Sequence, residues 1–204
     1  MSNFEELTEE KLEKLKIFCT NNMQQSAQII SSMTGQKIKM SVAEIKVIPL
    51  SDTVGFISEK DEYVVGIYCK IIGEITGGFL ITLSEKNAKN LCNIILTKSW
   101  DNNGKEKSFS EMEKSLLTEV GNIISASFVC SLAKVLDKSI FISVPKYAFD
   151  MVGAVVDSIL SEFAQLDDYA LVMKFVLTDE NEHIRCKFFI LPQPGALQVI
   201  IDKI

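Results

Sequence analysis

An internal repeat is the feature that most constrains how this chain can fold. Residues 35–43 (GQKIKMSVA) and 137–145 (DKSIFISVP) match in polarity at an offset of 102 residues, and both contain Ser-Val at the same place. The predicted hairpins that follow also correspond, at a slightly larger offset. Each half reads as helix, strand and hairpin, which is too short to bury a core comfortably alone. The sequence therefore predicts an α+β fold in which two pseudo-symmetric helix-strand-hairpin halves share one antiparallel sheet flanked by helices.

Hydrophobic periodicity predicts the individual elements of both halves. In the first half we expect a helix, a strand, a hairpin and a second helix, at about residues 4–33, 37–48, 62–83 and 84–98. In the second half we expect a helix, a strand, a helix, a hairpin and a last helix, at about 108–135, 139–145, 151–166, 168–191 and 195–204. Ser108 and Glu111 have the spacing of a capping box, which would start the long helix of the second half.

The composition is that of a globular protein from a reducing compartment. With 204 residues, of which 47% are hydrophobic and 24% charged, the chain is long enough for a substantial core. Its five cysteines are an odd number without a Cys-x-x-Cys pair, so we expect reduced thiols and a cytoplasmic location. His183 is the only histidine, which tells against a histidine-rich zinc site or a Ser-His-Asp triad, and we assign it no role.

Charge and hydropathy narrow the range of partners. A net charge of −6 and a pI near 5.0, without a long Lys/Arg cluster, tell against nucleic acid as the main partner. No run approaches about 18 consecutive apolar residues, so we expect no membrane span. The acidic start of the chain is unlike a signal peptide. A protein partner in the cytoplasm is compatible with all of these features.

Three polar residues on the long helix of the second half form the candidate site. Ser115, Glu119 and Asn122 follow each other at spacings of four and three, which puts them on one narrow stripe of a helix. Another face of this helix is apolar and predicted to be buried, with Leu116, Leu117, Val120, Ile123, Ile124 and Phe128. Pro145 ends the strand that follows, where it fixes φ and removes a backbone donor. Taken alone, a Glu and an Asn three residues apart usually mark a solvated helix face.

Together the four residues resemble the motif of the CheC, CheX and FliY phosphatases of bacterial and archaeal chemotaxis. That motif is Asp or Ser, three residues, Glu, two residues, Asn, twenty-two residues and Pro, and the chain matches every position and spacing. The duplicated halves, the total length and the segments 73–96 and 150–160 resemble CheC over essentially the full chain. The resemblance implies a single CheC-like domain, residues 1–204, made of two repeats at about 4–98 and 108–204.

The resemblance implies an enzyme that hydrolyses the aspartyl phosphate of the chemotaxis response regulator CheY. In the family the Asn orients the attacking water and the Glu pairs with the regulator's invariant lysine, which assigns these roles to Asn122 and Glu119. Ser115 and Pro145 are supporting motif positions. The resemblance implies no metal site and no cofactor of the chain's own, and a divalent cation (Mg²⁺) is expected in the regulator. CheC proteins also bind the receptor deamidase CheD, and the resemblance implies that Asp150 lies near the position of that contact.

The first half lacks the residues that carry this chemistry. At the 102-residue offset the motif positions are occupied by Glu13, Ile17, Thr20 and Ala43. We therefore expect one working site, in the second half. The alternative is a catalytically weak or silent module of the same fold that binds phosphorylated CheY or CheD, akin to the middle domain of the flagellar switch protein FliM. The intact pair of Glu119 and Asn122 tells against this alternative.

Overall fold

The computed structural model describes residues 9–57, 62–96, 109–161, 168–178, 183–193 and 195–203. Within these residues the first half consists of α1 (Glu9–Thr34), β1 (Lys39–Pro49), α2 (Thr53–Ile57), β2 (Tyr63–Gly73), β3 (Gly77–Ser84) and α3 (Glu85–Leu96). The second half consists of α4 (Glu111–Leu136), β4 (Ile140–Ile142), β5 (Lys146–Met151), α5 (Val152–Leu160), β6 (Tyr169–Thr178), β7 (His183–Pro192) and α6 (Ala196–Lys203). A short 3₁₀ turn, Leu50–Asp52, leads into α2.

The described strands form one antiparallel sheet of seven strands. Its order is β1-β6-β7-β3-β2-β4, and β5 pairs with a further part of β2. Exchanging β1 with β4 and β5, β2 with β6, and β3 with β7 turns this order into its own reverse. The hairpin of each half therefore pairs with the first strand of the other half, and β3 meets β7 at the centre. The predicted α+β fold, with two related halves on one sheet, is confirmed.

The two long helices end at positions related by the 102-residue offset. α1 ends at Thr34 and α4 at Leu136, 102 positions apart, whereas the residues before Glu9 lie outside the described part of the chain. Each helix is followed by a residue in the left-handed region, Gly35 with φ of 69° and Asp137 with φ of 51°. Such a residue ends a helix by turning the chain away from its axis. The assignment of the whole chain to one domain with repeats at about 4–98 and 108–204 stays a prediction.

An ion pair occupies the same place in both halves with its charges exchanged. Lys11 of α1 contacts Asp202 of α6 at 2.6 Å, and Glu113 of α4 contacts Lys89 of α3 at 3.1 Å. Lys11 and Glu113 are related by the 102-residue offset, and α3 and α6 are the equivalent last helices of the two halves. The scaffold thus keeps a helix-to-helix bridge here although the charges at its ends have been exchanged.

Both faces of the sheet are covered, so the core has two layers. On one face α1, α3, α4 and α6 pack on a large cluster that includes Phe79, Phe128 and Phe188. The ring centroids of Phe79 and Phe188 lie 4.3 Å apart, and Phe128 contacts both rings. On the other face α2 and α5 cover a smaller cluster around Val155 and Phe189. Burial of such side chains, worth about 1.5–3 kcal/mol each, holds the long helices against the sheet.

The start of α4 differs from the sequence prediction. Ser110 is the N-cap: its side chain accepts a hydrogen bond from the Glu113 N–H, and the Glu113 carboxylate accepts one from the Ser110 N–H at 2.7 Å. Ser108 and Ser110 are both followed by Glu three residues later, but Glu113 also reaches Lys89, which favours the later start. Ser108 itself lies outside the described residues.

Two short elements are absent from the sequence prediction. The polar stretch at 49–61 contains the 3₁₀ turn and α2, and β5 follows the break after the strand predicted at 139–145. That strand ends at Ile142, and α5 ends at Leu160, earlier than predicted. Elements of five or six residues are too short for hydrophobic periodicity to reveal them. The predicted start of α1 near Phe4 lies outside the described residues.

One described helix, α4, is long and apolar enough to cross a membrane by length and composition alone, with a mean hydropathy of 1.5 over the window that passes. Half of that window is buried inside the protein. The core helix of a soluble protein passes the same test, so the finding is weak evidence for a span. The expected absence of a membrane span therefore stays a prediction.

Candidate functional site

α4 presents the three helical motif residues on its outer side. Ser115 and Glu119 are exposed and Asn122 is half-buried. Within the part of the chain that the structure describes, none of these three side chains makes a hydrogen bond or an ion pair. The neighbouring Thr118, by contrast, donates to the Lys114 carbonyl at 2.7 Å. The carboxylate and the carboxamide are therefore open to a partner.

A glycine between the two site residues lets α4 approach the sheet closely. Gly121 is buried, and a Cβ atom built on it would lie 2.5 Å from Cγ2 of Ile67 on β2, a distance that real Cβ atoms essentially never show. The contact fixes the depth and the rotation of α4 over β2. Because Gly121 directly precedes Asn122, it also fixes the direction in which Glu119 and Asn122 point.

Pro145 lies in the three-residue break between β4 and β5. Both strands pair with β2, and Ser143 spans the gap: its N–H donates to the Lys70 carbonyl and its hydroxyl accepts from the Lys70 N–H, each at 2.9 Å. Val144 is 85% exposed. Proline has no backbone N–H to donate, and because Pro145 lies in the break, no hydrogen bond to β2 is lost there. The break lies beside α4, which contacts both β4 and β5.

The degenerate positions of the first half reproduce this layout without its polar pair. On α1, Glu13 and Ile17 are exposed and Thr20 is half-buried, which are the exposures of their three counterparts on α4. Ala43 lies at a register shift between β1 and β6. An irregular strand is therefore common to both halves, although β1 continues through its register shift whereas β4 and β5 are separate strands.

Asp150 is on a different element, the edge strand β5. It is exposed and lies opposite Val64 of β2. Its carboxylate accepts a hydrogen bond from the Met151 N–H at 2.7 Å, directly before α5 begins. The structure therefore places Asp150 at the rim of the sheet, apart from the face of α4 that carries Glu119 and Asn122.

Charged groups fix the first turn of α4 less than two turns before Glu119. Burial opposes the ionisation of Glu113, but hydrogen bonds from Ser110 and Lys89 outweigh it and hold the pKa of Glu113 below its ordinary value of 4.5. Lys89 also lies over the Phe109 ring, 4.3 Å from its centroid. Burial raises the pKa of the Tyr147 hydroxyl, and the nearby thiol and carboxylates add to that shift. These contacts tie the start of α4 to α3 and β5.

The chemistry available on α4 is that of a carboxylate and a carboxamide. Among the described residues there is no group of three or more His, Cys, Asp or Glu that could hold a metal ion. Glu119 can pair with a cation, and Asn122 can accept a hydrogen bond from water and donate to an oxygen. Sequence reasoning missed Gly121 and Ser143, although a glycine inside a helix, which costs about 1 kcal/mol relative to alanine, was a signal that could have been followed.

Comparison with known proteins finds a matching family model and relatives of similar length. A model of the CheC-like family matches residues 112–147, a range that contains all four motif positions. The chain has a CheC-like sequence. The CheY-P phosphatase CheC of Bacillus subtilis (strain 168) is 26% identical over 200 residues, 97% of this chain and 95% of that protein. The putative CheY-P phosphatase CheC1 of Halobacterium salinarum is 24% identical over 180 residues, 87% of this chain and 88% of that protein.

Solved structures share the fold of the CheC-like chain. The crystal structure of FliY from Thermotoga maritima matches with a TM-score of 0.71 over 97% of this chain and 96% of that one, at 18% identity. The CheX–CheY–BeF3–Mg²⁺ complex from Borrelia burgdorferi matches with a TM-score of 0.51 over 85% and 96%, at 15% identity. At these identities the matches show a common fold. The CheC-like resemblance stated from the motif is thereby confirmed.

Proposed function

We propose that this CheC-like chain is a phosphatase that acts on the aspartyl phosphate of a CheY-type response regulator, with one active site on α4. The observation that carries the proposal is the placement of Glu119 and Asn122 on adjacent turns of a helix whose other side is locked onto the sheet. Both side chains are open to a partner. Full-length relatives named as CheY-P phosphatases support this reaction.

Asn122 orients the attacking water. A carboxamide does not titrate near neutral pH and cannot act as a strong base, but its oxygen accepts a hydrogen bond from water. In-line attack of that water on phosphorus breaks the bond to the aspartate oxygen and releases inorganic phosphate and the free carboxylate. Half-burial of Asn122 restricts its rotamers, so the water is held in one position. Positioning of this kind is worth on the order of 100-fold in rate.

Glu119 docks the regulator. It is exposed one turn before Asn122, where its carboxylate can pair with a lysine ammonium of the partner. That pair sets the register in which Asn122 enters the phosphate pocket, and Ser115 and Pro145 support the arrangement. The regulator supplies the Mg²⁺ that neutralises phosphate charge, so this chain contributes no cofactor. The match to a structure that contains CheX and CheY supports a partner of the CheY type.

The first half contributes no second active site. Ile17 cannot pair with an ammonium group, and Thr20 is too short to hold a water where the carboxamide of Asn122 holds it. A CheD-type partner would use the rim of the sheet at Asp150 and leave the face of α4 open. For both partners we expect the cytoplasm as the location, in agreement with the expectation from the cysteine content.

The test is the lifetime of the regulator's aspartyl phosphate with and without this chain. Wild type shortens the lifetime, and Asn122→Ala removes the effect without unfolding the protein, because Asn122 has no side-chain contact with another described polar group. Asn21→Ala, an exposed substitution on α1, is the matched control and behaves as wild type. Equal lifetimes with wild type and Asn122→Ala contradict the assigned site. Regulator binding without any acceleration by wild type identifies a silent binding module instead.

A further inference from the structure

We propose that Val144, in the break between β4 and β5, is a docking residue that packs against an apolar side chain beside the phosphate pocket of the regulator, a role that rests on the proposed function. Val144 has the highest exposure, 85%, of the large hydrophobic side chains that the structure describes. Single exposed apolar residues are common on protein surfaces. Comparison with the other half of the chain distinguishes this one from them.

The first half buries the residue that corresponds to Val144. At the 102-residue offset its counterpart is Val42, which is 9% exposed and belongs to the large core cluster. Met40, two residues earlier on β1, faces the same core, and its counterpart Ile142 also packs against that cluster. The two strands therefore agree in burial up to Ile142 and differ at Val144, although both continue with the dipeptide Ser-Val.

Ser143 takes Val144 out of the sheet. In the first half, Val42 stays in the ladder with β6. In the second half, the Ser143 hydroxyl accepts a hydrogen bond from the Lys70 N–H at 2.9 Å and donates one to the Val144 carbonyl at 3.2 Å. A side chain thus occupies the donor on β2, and Pro145 has no N–H with which to rejoin the ladder directly afterwards. The exposure of Val144 is therefore fixed by its two neighbours.

The break lies next to the turn of α4 that carries Asn122. Gly121 packs on Ile67 of β2, and Ile67 lies opposite Tyr147 of β5. Val144 is three residues before Tyr147, which is about 10 Å along the strand direction. α4 also contacts both strands that flank the break. A specific interface covers about 800 Å² on each partner, so one centred on Asn122 includes Val144.

An apolar residue at this place suits a site that has to exclude bulk water. Covering an exposed valine releases its hydration water and favours binding. Apolar contacts around a polar pair also keep water away and strengthen the attraction between Glu119 and a cation of the regulator. The regulator's side of the contact is apolar, because a polar group there would be buried without a hydrogen bond. Val144 therefore contributes to affinity for the regulator and leaves the positioning of the water to Asn122.

The test combines steady-state dephosphorylation of the regulator with direct binding of the beryllofluoride-activated regulator. Val144→Ser should raise KM about tenfold and weaken binding by a similar factor, because the apolar contact is lost. Its kcat should stay within about twofold of wild type. Val144→Ile keeps the apolar surface and should behave as wild type does. Since Val144 is exposed, neither change should alter the free energy of unfolding in denaturant.

Phe141→Ser is the matched control. Phe141 is 61% exposed on β4, but its neighbours Ile140 and Ile142 face the core under α4, so the Phe141 side chain leaves the opposite face of the sheet. This variant should bind and dephosphorylate the regulator as wild type does.

Three results overturn the role of Val144: wild-type KM and affinity in Val144→Ser, an equal loss in Phe141→Ser, or weaker self-association of Val144→Ser with unchanged affinity for the regulator. A wild-type chain that binds the regulator without dephosphorylating it contradicts the proposed activity, and the binding measurements then decide on Val144 alone. Absence of regulator binding by wild type overturns both.

Discussion

At the scale of single residues, the candidate site depends on Gly121, whose lack of a side chain lets α4 pack closely on β2. Glu119 and Asn122 could be placed on the outer side of α4 from the sequence, because the apolar residues around them define the buried face. The contact that aims them could not be predicted, since it joins Gly121 to Ile67, more than fifty positions earlier in the chain. Local periodicity carries no information about which strand a helix crosses.

Gly121→Ala should lower both stability and activity. The added methyl group would lie 2.5 Å from Ile67 Cγ2, so either Ile67 or α4 must shift, and we expect α4 to move away from β2. Overpacking of this kind costs about 1–3 kcal/mol, which denaturant unfolding would measure as a lower free energy of unfolding. The displaced helix should also dephosphorylate the regulator more slowly than wild type.

Gly153→Ala is the matched control for this substitution. Gly153 lies in α5, and a Cβ atom built there meets nothing within 4 Å. Alanine is the better helix former by about 1 kcal/mol, so this variant should be as stable as wild type or more stable. If Gly121→Ala and Gly153→Ala unfold alike, the close contact with Ile67 does not hold α4.

At the scale of elements, the start of α4 shows that local sequence patterns alone do not decide where a helix begins. Two overlapping Ser-x-x-Glu patterns compete for the N-cap, and the tertiary contact of Glu113 with Lys89 favours Ser110. The short elements α2 and β5 were missed for a related reason. β5 exists because β2 offers it a partner after the break at Ser143, and no pattern within six residues records that pairing.

The clamp at Glu113 should make part of the stability depend on pH. Because the folded-state pKa of Glu113 is lowered, its contribution is present above its ordinary pKa of 4.5 and is lost as the pH falls through the lower folded-state value. Glu113→Gln should cost about 1 kcal/mol at pH 7, and the difference from wild type should vanish in acid. Denaturant unfolding at a series of pH values measures both quantities.

Glu111→Gln provides the comparison for that series. Glu111 lies in the same turn and pairs with Lys114, but its side chain is 90% exposed. Exposed pairs of this kind contribute little, so the variant should stay within about 0.5 kcal/mol of wild type at every pH. A Glu113→Gln deficit that persists unchanged below pH 4 would show that packing, and not ionisation, carries the effect.

At the scale of the whole molecule, the duplication was visible in the sequence but the way the halves join was not. The offset of 102 residues relates the last residues of α1 and α4, Thr34 and Leu136. The exchange of hairpins, by which β6 pairs with β1 and β2 with β4 and β5, depends on strand pairing between distant segments. Similar hydrophobic strands in both halves fit either arrangement, so the polarity pattern could not choose between them.

The duplicated scaffold should accept a second active site on α1. Ile17→Glu with Thr20→Asn places the pair at positions whose exposures equal those of Glu119 and Asn122. In an Asn122→Ala background, these two changes should restore about a tenth of the wild-type rate, since Ala43 replaces the supporting Pro145 and alignment is imperfect. Loss of the regulator's phosphate over time measures the rescue.

Ile17→Gln with Thr20→Asn is the control for the transplanted pair. It carries the carboxamide without the docking carboxylate and should not rescue the rate. Ile17 is 54% exposed, so both double variants should remain within about 0.5 kcal/mol of their parent in stability. Well-folded variants that all stay inactive would show that α1 lacks a docking surface that α4 has.

The central claim is that Asn122 aims the water and Glu119 docks the regulator, and steady-state kinetics on the phosphorylated regulator separates the two roles. Asn122→Ala should lower kcat about 100-fold with little change in KM, because only positioning of the water is lost. Glu119→Gln should raise KM about tenfold, because the ion pair that docks the regulator is lost. Unchanged kcat in Asn122→Ala, with Glu119→Gln also indistinguishable from wild type, would contradict the account.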